Sequence, residues 1–129
     1  MHASERPFHR KVIIVEGKTD KERLTYLLRE NVEVLCTQGT ISYERMEQEI
    51  VPLQNEDVYI LVDADEPGNK LRNQLRQELP NAKHLYTRRA FREVARTPLE
   101  YLAKVLFDAH FDVDPDYLSK VTSYPLFPD

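Results

Sequence analysis

One cysteine, no tryptophan and only three glycines are unusual scarcities in a chain of 129 residues. The lone Cys36 excludes an internal disulfide and a cysteine-only metal cluster. It is expected to pack as a small apolar side chain at a strand end, in a reducing cytoplasm. Long apolar runs are also missing, and none approaches the roughly 18–20 residues of a membrane span. The first residues, MHASERPFHRK, lack the hydrophobic core of a secretion signal. What remains is 41% hydrophobic and 31% charged, the balance of a globular chain, and one domain over 1–129 is expected.

The net charge of −4 conceals an asymmetry. Between Lys70 and Arg96 stand eight Lys or Arg against two acids, Glu78 and Glu93, a net of +6 that leaves −10 elsewhere. Because the field at a surface is set by nearby charges, such a zone can attract a polyanion although the whole chain is acidic.

Four short apolar runs, KVIIV (11–15), VEVLC (32–36), VYILV (58–62) and KHLYT (83–87), read as strands. The first and third are continuously apolar, as in a parallel sheet covered on both faces. Helical patterns separate them: 19–30 with a Thr19–Glu22 capping box, 42–54 with an irregular last turn at Pro52, and 67–79 with Leu71, Leu75 and Leu79. A further apolar helix starts at Thr97-Pro98 with a second T-x-x-E box. After Asp114, three prolines predict a short helical turn and then an extended end. The alternation predicts an α/β fold, a four-stranded parallel sheet between layers of helices.

The three glycines lie in three loops: Gly17 after the first strand, Gly39 after the second and Gly68 after the third. Ligands of open α/β sheets bind beyond such carboxyl ends. In a 2-1-3-4 strand order, Glu16 would meet Asp63 and Asp65 there. An oxygen-only cluster of acids suits Mg²⁺ or Mn²⁺, and no Cys or His stands beside the acids to favour zinc. The plainer reading makes Asp65 or Glu66 the cap of the helix that opens at Pro67.

The pair VIIVEG (12–17) and LVDADEPG (61–68), with the Gly39 loop between, resembles the Toprim domain. That domain is shared by type IA and II topoisomerases, bacterial primases and nucleases, and the likeness covers about residues 10–96. A nearer likeness is to the Toprim part of the ribonuclease that matures 5S ribosomal RNA, through EGKTD (16–20), TQGT (37–40) and DADEPGNKLR (63–72). The resemblance implies a Rossmann-like Toprim fold, with 97–129 as an added helix and tail. It also implies Glu16 as general acid or base and Asp63 and Asp65 as Mg²⁺ ligands. Apart from the resemblance, Asp20 and Glu66 are expected as helix-cap or solvent residues, with support of the metal from behind as the alternative.

Lys18, Lys70, Arg72, Arg88 and Arg89 are candidates to meet phosphates, and Tyr86 and Phe91 to stack on bases. His84 is expected to be a packed or hydrogen-bonded core residue. Two functions follow: a Mg²⁺-dependent nuclease, acting on structured RNA or on DNA, or a module that binds nucleic acid without cleaving it, alone or with a protein partner. The nucleophilic tyrosine domain of a topoisomerase is absent, which argues against strand passage. A signalling receiver fits the Glu-Gly ending of the first strand poorly. A homodimer through the apolar helix from Leu99 and the YPLF tail (124–127) is a further expectation.

Overall fold

A computed structural model describes residues 10–87 and 91–121. Arg88, Arg89 and the YPLF segment of the sequence reading lie outside the described residues.

Four strands, β1 (Lys11–Val15), β2 (Glu33–Cys36), β3 (Asp57–Leu61) and β4 (Lys83–Leu85), form one parallel sheet in the order β2-β1-β3-β4, as the alternating pattern predicts. The central pair runs in register from Lys11 opposite Asp57 to Ile14 opposite Ile60, and β3 pairs with β4 up to Leu61 opposite Leu85.

Alternate residues of each strand enter two separate cores. Ile13, Val15, Tyr59 and Leu61 pack with α1 (Lys18–Leu27) and α4 (Leu99–Asp108) through Leu24, Leu27, Leu102 and Leu106. Val12, Ile14, Ile60 and Val62 pack on the other face against Ile41, Met46, Ile50, Leu71 and Leu75. The last two come from α3 (Glu66–Glu78), where their i, i+4 spacing makes one inward stripe. Ile13, Ile14, Ile60 and Leu71 are at most 1% exposed. Burial of each such side chain contributes roughly 1.5–3 kcal/mol before chain entropy is counted.

The helix over 42–54 is composite. α2 (Tyr43–Arg45) widens into a π-helical turn, Met46–Ile50, and tightens into a 3-10 turn, Val51–Leu53. Pro52 has no N–H to donate back along the helix, so a regular α-helical ladder cannot continue through it.

α1 ends at Leu27, three residues before the expected Glu30. There the chain turns extended, and Leu28 bridges Val113 in antiparallel fashion, with Arg29 N–H donating to the Asp112 carbonyl. That pairing brings Phe111 and Val113 over the first core, a gain the local helical pattern cannot report.

Both expected Thr-x-x-Glu boxes are corrected. Gly17 is the N-cap of α1, and the Asp20 carboxylate accepts its N–H at 3.1 Å. Thr97 donates its hydroxyl to the Glu93 carbonyl and so belongs to the preceding 3-10 turn, Val94–Arg96, not to α4.

The last described element is α5 (Pro115–Val121). The apolar stripe of α4 is spent inside the chain, since Tyr101, Leu102, Ala103 and Leu106 are buried. Among the described residues of α4, Phe107 is the large apolar side chain left exposed.

Candidate functional site

The carboxyl ends of β1 and β3 lie side by side, so the segments that leave them, Glu16-Gly17 and Val62-Asp63, share one sheet edge. Glu16 Oε1 accepts the Asp63 N–H at 2.9 Å, which joins acids 47 positions apart in the chain. Asp63 Oδ1 accepts the Val94 N–H at 2.8 Å. Asp65 is the N-cap of α3, and its Oδ1 accepts the Gly68 N–H at 2.8 Å. Asp20, 6% exposed, points its carboxylate back at Gly17. Each of these four acids has one oxygen fixed by a backbone donor, and its other oxygen has no hydrogen bond among the described residues.

Electrostatics set this edge apart. Burial raises the Glu16 pKa above its ordinary 4.5, against the pull of the Asp63 N–H, and the charges of Asp63, Asp65 and Asp20 push it further. Asp63 is raised from 3.8 by burial and by Asp65 and Glu93, with the Val94 N–H opposing. Asp20 is likewise raised, first by burial, although Arg23 offsets the repulsion of Asp63 and Glu93. Like charges crowded in a half-buried place disfavour their own ionisation.

Gly68 explains how the loop after β3 folds so tightly. A Cβ at this position would stand 2.0 Å from the Asp63 carbonyl oxygen and 3.0 Å from Asp65 Oδ1, so no side chain fits. Gly39 has φ of +101°, in the left-handed region open to glycine, whereas Gly17 has extended backbone and ordinary room.

The segment after β4 completes the edge through backbone groups, which residue types do not announce. Arg92 has φ of 59°, and its carbonyl accepts the Ala64 N–H at 2.6 Å. Non-glycine residues at positive φ are uncommon and cluster at functional sites. Two residues later, Val94 N–H reaches Asp63, and Arg23 of α1 fastens the same segment by donating to the Val94 and Thr97 carbonyls. Glu93 thereby becomes a fifth acid near the cluster.

Of the expected cations, Lys18 is exposed at the start of α1 and Lys70 is exposed on the second turn of α3. Arg72 is placed otherwise: it is 4% exposed and turned inward. Its guanidinium donates to the Val62 and Leu85 carbonyls at 3.4 and 2.6 Å and to His84 Nδ1 at 2.9 Å. Such a fixed guanidinium ties β3 to β4 and leaves no free fork for a phosphate. His84 is hydrogen-bonded as expected. Burial and the adjacent Arg72 lower its pKa. Glu66 is exposed at the start of α3.

The donor set at this edge is all carboxylate oxygen, the chemistry of hard divalent cations. Among the described residues, no three Asp, Glu, His or Cys side chains converge tightly enough to make a ready cage. Mg²⁺ does not require one, since it keeps several waters and is held through one or two carboxylates plus substrate phosphates. Two fully or nearly buried hydroxyls, Thr37 Oγ1 and Thr87 Oγ1, follow β2 and β4 at the same end of the sheet and have no hydrogen-bond partner among the described residues. The residues therefore fit a hydrated cation. Cys36 Sγ–H donates to the Gly17 carbonyl, 3.3 Å away.

Comparison with known proteins agrees with this architecture. A solved structure described as a small TOPRIM domain protein from Bacillus stearothermophilus superposes with a TM-score of 0.80 at 50% identity, covering 88% of this chain and 95% of that one. The chain is 48% identical over 110 residues to the uncharacterized protein YusF of Bacillus subtilis (strain 168), covering 85% of this chain and 75% of that protein. It is 32% identical over 80 residues to Ribonuclease M5 of Mycoplasma genitalium, which is 58% of this chain but 42% of that enzyme. No helix among the described residues is long and apolar enough to cross a membrane. Toprim domains generally bind divalent metal ions, typically Mg²⁺, and the family suggests a function involving nucleic acid. The Toprim domain model itself matches residues 11–94, from the first residue of β1 to the residue whose N–H holds Asp63, and the chain belongs to the Toprim domain family.

Proposed function

We propose that this chain is a Mg²⁺- or Mn²⁺-dependent phosphodiester hydrolase acting on nucleic acid, with structured RNA as the first substrate to test. The observation that carries the reading is the arrangement of Glu16, Asp63 and Asp65, each with one oxygen pinned by a backbone N–H and the other uncommitted among the described residues. Asp63 and Asp65 would hold the cation, with Asp20 and Glu66 orienting its waters. Bound there, a divalent cation supplies charge neutralisation at the phosphate and a more acidic water.

Glu16, held by the Asp63 N–H through Oε1, keeps Oε2 for holding or moving a proton at the reacting oxygen. Lys18 and Lys70 steer and hold the phosphates on either side of the acids, and Arg88 and Arg89 extend that role along the strand. Gly39 and Gly68 keep the loops small enough for a backbone to approach.

A second reading, a module that binds nucleic acid without cleaving it or that needs a partner to cleave, has one observation in its favour: Asp65 already serves as the cap of α3.

The test is cleavage of an end-labelled structured RNA with Mg²⁺ or Mn²⁺, with EDTA, and with Asp65→Asn. Asparagine caps a helix as well as aspartate, so the variant removes charge and leaves the fold. Cleavage lost in both controls is expected. RNA left intact by the folded wild type in either metal overturns hydrolysis in favour of binding.

A further inference from the structure

Two aromatic residues near the basic zone, Tyr86 and Phe91, have no part in the chemistry above, and the structure separates them. Phe91 is half-buried, its ring 5.4 Å from that of Tyr101, and is used in packing. Tyr86, directly after β4, is 60% exposed. It is also the best supported of the exposed tyrosines. Tyr43 is 80% exposed with no ring or cation against it among the described residues, and Tyr26 is met edge-on by Tyr117.

The support behind Tyr86 is Arg72, whose guanidinium carbon lies 4.1 Å from the ring centroid, with the His84 ring near-parallel at 6.5 Å. Arg72 is itself immobilised by the Val62 and Leu85 carbonyls and by His84, and no carboxylate among the described residues pairs with it. A buried cation without an acid partner is costly to retain for packing alone. Behind an exposed ring it has a use: it draws π density from the ring and prepares the outer face for an electron-rich aromatic partner.

Arg72 donates to the Val62 carbonyl, one residue before Asp63, and to the Leu85 carbonyl, one residue before Tyr86. Ring and acid loop thus hang from the same guanidinium.

We propose that Tyr86 is a stacking platform for an unpaired nucleobase, belonging to a nucleotide adjacent to the phosphate that meets Glu16, Asp63 and Asp65. The inference rests on the nucleic-acid reading of that acidic edge and adds to it a preference for single-stranded or unpaired nucleotides. Stacking tolerates any base, so the platform serves grip and position more than sequence choice.

The experiment is fluorescence anisotropy with short unstructured RNA and DNA oligonucleotides in Mg²⁺, in a Glu16→Gln background that prevents turnover. Tyr86→Leu weakens binding by roughly 5- to 100-fold, while Tyr86→Phe stays within about twofold, because stacking needs the ring and not the hydroxyl. An abasic site at one position of the oligonucleotide costs the parent a similar factor and leaves the Leu variant nearly unchanged. Equal binding by Tyr86→Leu and the parent, or absence of any abasic position that matters, overturns the platform while the nucleic-acid reading stands. A parent that binds none of the oligonucleotides overturns that reading and the platform with it. If Tyr86→Leu lowers the melting temperature, the Phe variant and the abasic walk still decide.

Discussion

The two ends of the central strand pair treat charge in opposite ways. At the amino ends of β1 and β3, acids and bases are matched: Arg10 pairs with Glu33 at 2.5 Å and Glu56 at 3.3 Å, and Lys11 pairs with Glu30 at 3.0 Å. At the carboxyl ends, Glu16, Asp20, Asp63 and Asp65 gather without an ion pair among the described residues, and the nearby cations are directed elsewhere. Arg23 holds backbone carbonyls, and Arg72 is sealed beneath Tyr86. The same contrast appears in ionisation. Glu30 is lowered below its ordinary 4.5, first by the Asp112 N–H and then by Lys11, while Glu16, Asp20 and Asp63 are raised. One end is balanced by its own ion pairs, and the other gathers like charges with no ion pair among the described residues.

The largest effect is expected from Gly68→Ala, which breaks the carboxyl end by geometry. Its Cβ would meet the Asp63 carbonyl oxygen at 2.0 Å, so the backbone that presents both aspartates must shift. We expect a loss of about 3 kcal/mol. That corresponds to a fall of roughly 10 °C in melting temperature by scanning calorimetry. Gly17→Ala, whose Cβ would find only ordinary contacts at 3.5 Å, should cost far less.

Next is the response to metal. Mg²⁺ at a hundred times its dissociation constant should stabilise the wild type by about 2.7 kcal/mol. The gain should vanish in Asp63→Asn, which keeps an oxygen for the Val94 N–H. An equal gain in the variant would place the cation somewhere else.

In EDTA the same substitution should act in the other direction and raise the melting temperature at pH 7, since it removes a carboxylate that burial and its neighbours oppose. The pH dependence fixes the sign. Asp63 has a raised folded pKa, so its contribution is fully present below 3.8 and is lost as pH rises through the folded value. The advantage of the Asn variant should therefore shrink on acidification. Glu30 behaves oppositely: its contribution is present above 4.5 and is lost as pH falls through its lowered value. Glu30→Gln should cost stability at neutral pH and little in acid. Melting curves of both variants across pH would sharpen the contrast or erase it.

Much of this was legible beforehand. Continuous apolar runs ending in Glu16-Gly17 and Asp63-Ala64-Asp65 identify two buried parallel strands whose exits carry acids, and glycine confined to three loops marks where the backbone must turn closely. Arg72 was not legible. It sits beside Leu71 on a helix whose inward stripe is set by Leu71 and Leu75, and a helical pattern does not say that β4 waits to cover the neighbouring position. The Val94 N–H and Glu93 were missed for a different reason: a backbone donor leaves no trace in residue type, and its partner Asp63 is 31 positions away. The expected capping box shows the same limit, since Thr19-x-x-Glu22 fits the sequence pattern, whereas the cap that forms is the Asp20 carboxylate accepting the Gly17 N–H, which residue type does not announce.

The smallest effect belongs to the balanced end. Arg10→Ala removes the pairs that its largely exposed side chain makes with Glu33 and Glu56, and should change stability by only about 0.2–1 kcal/mol per pair, less in high salt. A larger loss would mean that the amino end is more than a solvated set of ion pairs.

The central claim, that the carboxyl end is completed by a divalent cation, is tested most directly by calorimetric titration of Mn²⁺ into the wild-type chain and Asp63→Asn at neutral pH, without nucleic acid. Saturable binding in the wild type that the variant has lost is the result predicted here; a wild type that takes up no cation, or a variant that binds as tightly, would contradict it.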